Sequence, residues 1–371
     1  MDINQIKPHR KFDHDGTFYS LCADCCGVRL FAGSSDYGVH VFDLADAKDD
    51  SKQPVARWAQ HDNYVSALGF VETAGGGQVV SGSFDRHLIW WNPDTGEPLR
   101  QVEAHGGWLR DLVVFPDSSR LASVGDDMRL KIWDSANGEL VHDLAGHAAQ
   151  TPQGHVTALY EVAITPDGKH LATADRHGEV RVWEADAGKS IQAFQVPILY
   201  TYDPRQRKRS IGGIRSLAFS PDGRHLAVGG IGQVGNVDGL AGRATVEIWD
   251  WQKPARLAQA EAEEHQGIVN HLAFHPKNGW LLGAGGGSDA GFLAIWETGS
   301  ALLAGPSAER ADATAGSPQA DNAEKADPPS IALPVHRIKA DGHVHQFLVS
   351  ASGRELYAAG HGKLEIWDLG E

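Results

Sequence analysis

Hydrophobic and polar positions alternate over short runs along most of the chain, and most runs end in turn residues. The stretch SGSFDRHLIWW at 81–91 begins with small hydroxyl residues, places Asp85 in the middle and closes on two tryptophans after an alternating segment. LASVGDDMRLKIWD at 121–134 and LATADRHGEVRVWE at 171–184 align with it. Alternation with a period of two and frequent Val, Ile, Trp and Phe favour β-strands. The chain is therefore predicted to be all-β and built from an internal repeat.

Another strand, ending in a tight turn, precedes most copies of this stretch. Segments such as VAITPDGKH and LAFSPDGRH contain Pro-Asp-Gly, in which Pro presets φ and Gly accepts a positive φ. In five copies a histidine stands nine residues before the last apolar position of that strand: His14, His61, His105, His155 and His265. The unit is thus a histidine, a strand, a turn, a strand with Ser or Thr, a turn with Asp, and a strand that ends in an aromatic residue.

This unit resembles the repeat of the WD-repeat family, whose blades are four-stranded antiparallel sheets arranged as a β-propeller. Seven units are counted by their closing aromatic residues, which are Phe42, Trp91, Trp133, Trp183, Trp249, Trp296 and Trp367. The resemblance implies one seven-bladed propeller over residues 1–371, similar to bacterial stand-alone WD-repeat proteins. Since the sequence stops after the third strand of the last blade, residues 1–12 are expected to supply its outer strand and close the ring.

The resemblance also implies a buried hydrogen-bonded network of His, Ser or Thr, Asp and Trp within a blade. Two blades carry the complete set: His61, Ser81, Asp85 and Trp91 in blade 2, and His105, Ser123, Asp127 and Trp133 in blade 3. The other blades depart from it. Blade 1 has Ala32 and Phe42 in the Ser and Trp places; blade 4, counted from His155, has His177 in the Asp place; blade 5 has Ser210 and Arg243; blade 7 has His361.

Insertions distinguish the two faces of the predicted propeller. Four of them, at 148–153, 197–210, 232–243 and 285–291, fall between strands four and one or between strands two and three. Connections of these two kinds lie on the same face of a four-stranded meander, so all four insertions should decorate one face over blades 4 to 6. The segment 304–330 falls on the opposite face and, being rich in Ala, Asp, Pro and Ser, is predicted to be a disordered loop.

Composition and charge narrow the class of protein further. The formal net charge of −15 disfavours a general affinity for nucleic acid or anionic membranes. No apolar run reaches the roughly 18 residues of a membrane span, and the N-terminus lacks the apolar region of a signal peptide. Three cysteines within CADCC are no disulfide framework. We therefore expect a cytoplasmic protein that is a monomer on its own.

Candidate binding residues lie beside the networks. In WD-repeat proteins the residue three after the His and the residue before the Asp face the partner side, and here these include Tyr64, Phe84, Trp108 and Arg176. Exposed aromatic and Arg side chains are typical of binding hot spots, although packing is the competing interpretation. The basic cluster Arg205, Arg207, Lys208 and Arg209 is a further candidate for contact with a partner, with a solvated loop as the alternative.

The function predicted from these patterns is a non-catalytic scaffold that binds a protein or peptide on the loop-decorated face, without cofactor, metal ion or catalytic residues. One alternative is a channel-centred enzyme or binder of a metal or small ligand, because Asp111, Glu161 and His271 take equivalent inner-strand places and could converge. The other is an adaptor for nucleic acid or an acidic partner through the 205–209 cluster. Fold alone does not choose between these classes.

Overall fold

The structure is a computed structural model that describes residues 6–44, 53–203, 209–235, 242–277, 279–287, 290–298, 331–332 and 335–370. Within these ranges the regular elements are β-strands and one 3-10 turn at Pro197–Leu199, as the alternating pattern predicts. No helix in the described part of the chain is long and apolar enough to cross a membrane. The segment 304–330, predicted to be a disordered loop, lies outside the described residues.

The strands follow one another as antiparallel meanders. Those of the first four blades are β1 (Lys7–Ala23), β2 (Arg29–Ser34), β3 (Gly38–Asp43), β4 (Ala56–Ala59), β5 (Val65–Thr73), β6 (Gly76–Ser83), β7 (His87–Trp91), β8 (Pro98–Glu103), β9 (Leu109–Val114), β10 (Arg120–Gly125), β11 (Arg129–Asp134), β12 (Leu140–Ala145), β13 (Leu159–Ile164), β14 (His170–Asp175), β15 (Glu179–Glu184) and β16 (Lys189–Gln195).

A hairpin of β17 (Tyr200–Asp203) and β18 (Arg209–Gly212) precedes the fifth blade. The remaining strands are β19 (Ile214–Phe219), β20 (His225–Ile231), β21 (Arg243–Asp250), β22 (Ala255–Gln266), β23 (Ile268–Phe274), β24 (Trp280–Gly286), β25 (Gly291–Glu297), β26 (Ile331–Ala332), β27 (Val335–Ala340), β28 (Val344–Val349) and β29 (Glu355–Asp368). The short β26 adds to the outer edge of the fifth blade by pairing parallel with β22.

Continuous pairing in the described chain forms six sheets of four or more strands, and the largest of them holds two blades. In that sheet the first half of β1 pairs antiparallel with β29, from Lys7 opposite Asp368 to Asp13 opposite Lys363. The second half of β1 pairs instead with β2, as the first strand of blade 1. The N-terminal strand therefore supplies the outer strand of the last blade, and the architecture is the propeller of seven blades.

The hydrophobic core lies between blades rather than within them. Each of the seven buried clusters takes its side chains from two consecutive blades around the ring. At the junction of the last and first blades, Phe12 of β1 packs on Phe42 of β3 with ring centroids 4.7 Å apart. Because each blade buries its faces only against its neighbours, the blades depend on a closed ring.

The structure joins the expected networks of blades 2 and 3 through short hydrogen bonds. Trp91 Nε1 donates to Ser81 Oγ over 2.8 Å, and His61 lies 2.7 Å from both the Ser81 hydroxyl and the Asp85 carboxylate. Burial alone would raise the pKa of Asp85, but the bonds from His61 and from backbone N–H groups lower it to about 2. The equivalent bonds in blade 3 link His105 to Asp127 over 2.9 Å and to Ser123 over 2.8 Å, and Trp133 to Ser123 over 2.9 Å.

Blade 4 also has a complete network, and here the choice of His155 and His177 was wrong. His147 takes the histidine place, with Nε2 2.8 Å from Thr173 Oγ1 and Nδ1 3.2 Å from Asp175 Oδ2. Trp183 Nε1 donates to Thr173 Oγ1 over 2.9 Å. The insertion 148–153 follows the histidine instead of preceding it, so counting back along the chain selected the wrong side chain.

The remaining blades use other solutions. In blade 1, His14 bonds to Ser34 rather than to the position of Ala32, over 2.7 Å. In blade 5, Trp249 donates to the buried Glu247 over 3.0 Å. The indole N–H groups of Trp296 and Trp367 are buried and have no partner among the described residues. Networks with the full set of side chains therefore fall on consecutive blades, 2 to 4.

The corrected assignment in blade 4 predicts different consequences for two histidines. His147→Ala should lower the free energy of unfolding by about 1–3 kcal/mol, because Thr173 and Asp175 each lose one hydrogen-bond partner in a buried site. His155→Ala should cost less than about 1 kcal/mol, since His155 Nε2 already lacks a partner. Urea denaturation of both variants measures the difference, and equal losses would contradict the assignment. Thr173→Val tests the same network without a large change of volume.

Candidate partner-binding face and channel mouth

A β-bulge recurs at the same place in the inner strand of every blade. The pairing register shifts by one residue there in all seven strands. The bulged residues are Tyr19, Ser66, Arg110, Tyr160, Arg215, Asn270 and His345. A bulge interrupts the alternation of a strand and re-aims side chains. All seven bulged residues line one cavity of about 320 Å³ at the channel mouth, often together with the next residue along the strand.

The residues that follow the bulges include the channel set Asp111, Glu161 and His271, and all three line this cavity. Two of them are occupied in holding neighbouring blades together. Asp111 Oδ2 accepts the backbone N–H of Val162, in the next inner strand, over 3.0 Å. Glu161 likewise accepts the N–H of Leu217, one blade further on. These carboxyl groups serve as acceptors between blades.

Burial shifts the protonation of the same three groups towards their uncharged forms. It raises the pKa of Asp111 to about 7 and, with the nearby Asp111 charge, raises that of Glu161 well above its ordinary value. It lowers the pKa of His271 to about 4. Within the described chain, the one cluster of potential metal ligands whose atoms lie within 4.8 Å of one another is elsewhere, in blade 1. The channel trio therefore shares a cavity without forming a compact ligand set.

The blade 1 cluster consists of His14, Asp36 and His40. Its polar atoms are already engaged: His14 bonds to Ser34, and Asp36 Oδ2 lies 2.9 Å from both His40 Nε2 and Arg57 Nε. Asp36 therefore balances a guanidinium as well as an imidazole. We interpret the cluster as the blade 1 counterpart of the buried networks.

Beside the cavity, aromatic rings from blades 1 to 3 form a continuous row, which we call the aromatic arc: Tyr37, Tyr19, Tyr64, Phe84 and Trp108. Ring centroids lie 5.9 Å apart for Tyr37 and Tyr64, 5.5 Å for Tyr19 and Tyr64, and 5.8 Å for Tyr64 and Phe84. Phe84 and Trp108 stack at 4.7 Å with their planes 5° apart. Trp108 is 46% exposed and Tyr37 is 43% exposed, so the row ends in accessible aromatic surface on both sides.

The buried networks hold the loops that carry this arc. Asp85 Oδ2 accepts the backbone N–H of Asp62 over 3.0 Å, and the N–H of Phe84 donates to Tyr64 O over 3.0 Å. In blade 3, Asp127 Oδ2 accepts the N–H of Gly106 over 2.8 Å, two residues before Trp108. Each network therefore ties the loop after its histidine to the turn that contains its aspartate.

Cationic side chains continue the arc towards blades 4 and 5. The Arg110 guanidinium lies 4.9 Å from the ring centroids of both Phe84 and Trp108, and 5.3 Å from that of Tyr160. Arg215, on blade 5, lies 3.6 Å from the ring centroid of Tyr160 on blade 4. Such distances are those of cation–π contacts. The sequence reasoning missed Tyr19, Arg110, Tyr160 and Arg215, although Arg110 and Tyr160 directly precede the selected Asp111 and Glu161.

Three insertions meet near Arg176. The Tyr200 hydroxyl bonds to Gln153 Oε1 over 3.1 Å, and Gln233 Nε2 donates to Tyr200 O over 3.0 Å. Arg176 Nη2 donates to Ser210 O over 3.2 Å. Segments 148–153, 197–210 and 232–243 are thus brought together through their described residues. Arg205, Arg207 and Lys208 lie outside the described residues, and of Arg209 only the backbone in β18 is described.

The shifted pKa of Asp111 predicts a measurable dependence on pH. Folded chains keep this proton up to about pH 7, whereas unfolded chains lose it near pH 4, so ionisation of Asp111 lowers stability as pH rises between these values. Asp111→Asn keeps an acceptor for Val162 but cannot ionise. Relative to the parent chain, it should gain roughly 1–3 kcal/mol in unfolding free energy between pH 5 and pH 8.

Urea denaturation at the two pH values measures this gain. Glu103→Gln is the matched control, since the side chain of Glu103 is 63% exposed on an outer strand. An equal gain in the control, or none in Asp111→Asn, would show that Asp111 is not held protonated.

Comparison with known proteins places the repeats in a family. The model described as WD domain, G-beta repeat matches residues 96–134, 138–184, 207–237 and 259–297. The chain is 24% identical over 271 residues to nuclear distribution protein PAC1 of Arthroderma benhamiae, covering 67% of this chain and 52% of that protein. It is 26% identical over 248 residues to protein HIR1 of Eremothecium gossypii, covering 59% and 29%.

A third relative is small ribosomal subunit protein RACK1y of Oryza sativa subsp. japonica, 27% identical over 194 residues, which cover 50% of this chain and 51% of that protein. The matched region thus spans about half or less of each of these curated relatives. Repeats in four places, a propeller of four-stranded blades and relatives of this kind agree with one another. The chain belongs to the WD-repeat family of β-propeller proteins.

Proposed function

We propose that this chain is a non-catalytic scaffold whose protein or peptide partner docks on the insertion-bearing face, across the aromatic arc. The observation that carries the proposal is the arc itself, a contiguous set of aromatic rings that ends in the accessible Trp108. Contiguous exposed apolar surface is characteristic of binding sites in soluble proteins. Aromatic and Arg side chains at its centre are the residue types that dominate binding energy.

Rigidity of the surrounding loops supports the same proposal. Tyr64, Phe84 and Trp108 project from loops that are tied down by the networks of blades 2 and 3. A partner that binds preordered side chains loses less conformational entropy in the complex than one that must order them. Contacts among the insertions near Arg176 extend the proposed surface over blades 4 and 5. We further propose that residues 1–371 act as one propeller domain in the cytoplasm and as a monomer before the partner binds.

The channel-centred alternative has weaker support. Asp111 and Glu161, which would have to act on a ligand, already accept backbone N–H groups of adjacent blades. If Asp111 and Glu161 bound a ligand instead of these N–H groups, the blades would lose hydrogen bonds to each other. The name of one relative, a small ribosomal subunit protein, describes a component of a macromolecular assembly. Binding of a macromolecular partner is therefore the function that these residues support best.

Substitutions in the arc test the placement of the site. A partner is first captured on the immobilised chain from native cells, identified and purified, and its dissociation constant is then measured with the parent chain and variants. Trp108→Ala combined with Phe84→Ala should weaken binding by about 1 kcal/mol or more, because both rings lose contact area with the partner. The melting temperature should stay close to that of the parent chain.

Leu140→Ala is the matched control, since Leu140 is also 46% exposed but lies on the outer strand β12. It should leave the affinity unchanged. Should the double variant lose stability, Trp108→Ala alone provides the comparison. Full affinity in the double variant, or an equal loss in the control, would show that the partner docks elsewhere.

A further inference from the structure

We infer that Arg110 and Arg215 at the channel mouth, together with the neighbouring Arg176, form a binding site for an anionic side chain of the peptide partner, either phosphorylated or carboxylic. This inference deepens the proposed function and rests on it. We call these residues the arginine cluster. They lie on blades 3, 4 and 5, where the aromatic arc meets the insertions.

Backbone geometry brings the cluster together. Arg110 and Arg215 are bulged residues of blades 3 and 5, and they approach the ring of Tyr160, the bulged residue between them, to 5.3 and 3.6 Å. Gly213 has φ +98°, and a Cβ there would lie 2.7 Å from the backbone of Arg176. Only glycine allows the first strand of blade 5 to pass this close. Arg215 follows two residues later, near enough to Arg176 for their positive charges to interact.

The cluster carries more positive charge than its described neighbours balance. Arg110 is paired with Asp126 through two bonds of 2.6 and 2.9 Å. Neither Arg176 nor Arg215 forms an ion pair with a carboxylate of the described residues, and the Nε atom of each is buried without a partner there. Burial lowers the pKa of Arg215, as do the charges of Arg110 and Arg176, while the Tyr160 hydroxyl opposes this shift only in part. Guanidinium groups remain charged in proteins, so the cost of this crowding is not relieved by deprotonation.

An anion from outside would relieve both problems. Guanidinium groups bind phosphate and carboxylate through two parallel N–H bonds, and buried N–H donors without partners are costly. The channel carboxyl groups compensate for little of this charge, since burial favours their neutral forms: it raises the pKa of Asp111 to about 7 and that of Glu161 well above its ordinary value. The aromatic arc next to the cluster suits an apolar side chain of the same peptide. A short peptide with an anionic residue near an apolar one matches this arrangement.

Degenerate peptide pools test the inference without knowledge of the natural partner. Three labelled pools of nine residues carry phosphoserine, Glu or Ser at the centre and random residues elsewhere. The parent chain should retain the phosphoserine or the Glu pool about tenfold more strongly than the Ser pool, since charge-assisted bonds are the stronger kind. The stronger of the two anionic pools identifies the source of the charge. Arg215→Gln and Arg176→Gln should each remove most of this preference.

Arg224→Gln is the matched control, because Arg224 is exposed on blade 5 at the turn between its first two strands, on the other face. It removes the same charge and should retain the preference. Thermal melts verify that each variant is folded. The inference is wrong if the parent chain retains all three pools equally, or if Arg224→Gln loses as much as Arg215→Gln. It is also wrong if a labelled single-stranded DNA binds through Arg215 while no peptide pool does.

These outcomes separate the inference from the proposed function. If the pools show no preference for an anion while the double variant at Trp108 and Phe84 still loses its captured partner, only the arginine cluster has been misinterpreted. If the double variant keeps full affinity, the placement of the partner itself fails.

Discussion

Each blade of this propeller is stable only because its neighbours cover it, and this constraint governs the rest of the structure. The seven buried clusters all lie between blades. Hydrophobic burial is the main favourable contribution to folding. Because the buried clusters lie between blades, most of this stabilisation requires a complete ring. Strand β1 completes the ring by serving blade 7 with its first half and blade 1 with its second. Side chains such as Asp111 add hydrogen bonds across the same interfaces.

Much of the fold could be predicted from the sequence because the same pattern of strands, turns and closing aromatic residues recurs several times. Alternation identifies strands, Pro-Asp-Gly identifies turns, and closing aromatic residues count the blades. The resemblance to the WD-repeat family implied the networks of blades 2 and 3, and their hydrogen bonds are present. In blade 4 the wrong histidine was assigned because it was chosen by the number of residues along the chain, whereas the network requires side chains that are close in space. The insertion after His147 lengthens the chain between this histidine and Thr173, although the two side chains remain in contact.

The candidate site was harder to predict for a physical reason. Strict alternation allows only every second residue of an inner strand to face the channel, so Asp111 and Glu161 were selected and their neighbours were not. A bulge in each inner strand breaks this rule and brings Arg110 and Tyr160 to the same cavity. Bulges leave little trace in a single sequence, since no residue type is obligatory there. The contiguity of aromatic rings from different blades likewise depends on the closed ring.

The bulges also affect how such a protein can change over generations. A bulged residue is unpaired in the ladder, and its side chain points away from the clusters between blades. Substitution at these seven positions therefore alters the lining of the mouth while the strand pairing and the hydrophobic clusters persist. The present lining runs from Tyr19 and Ser66 through two arginines to Asn270 and His345. One scaffold can in this way present different sets of seven side chains around a single opening, and protein design could change the binding chemistry of that opening one blade at a time.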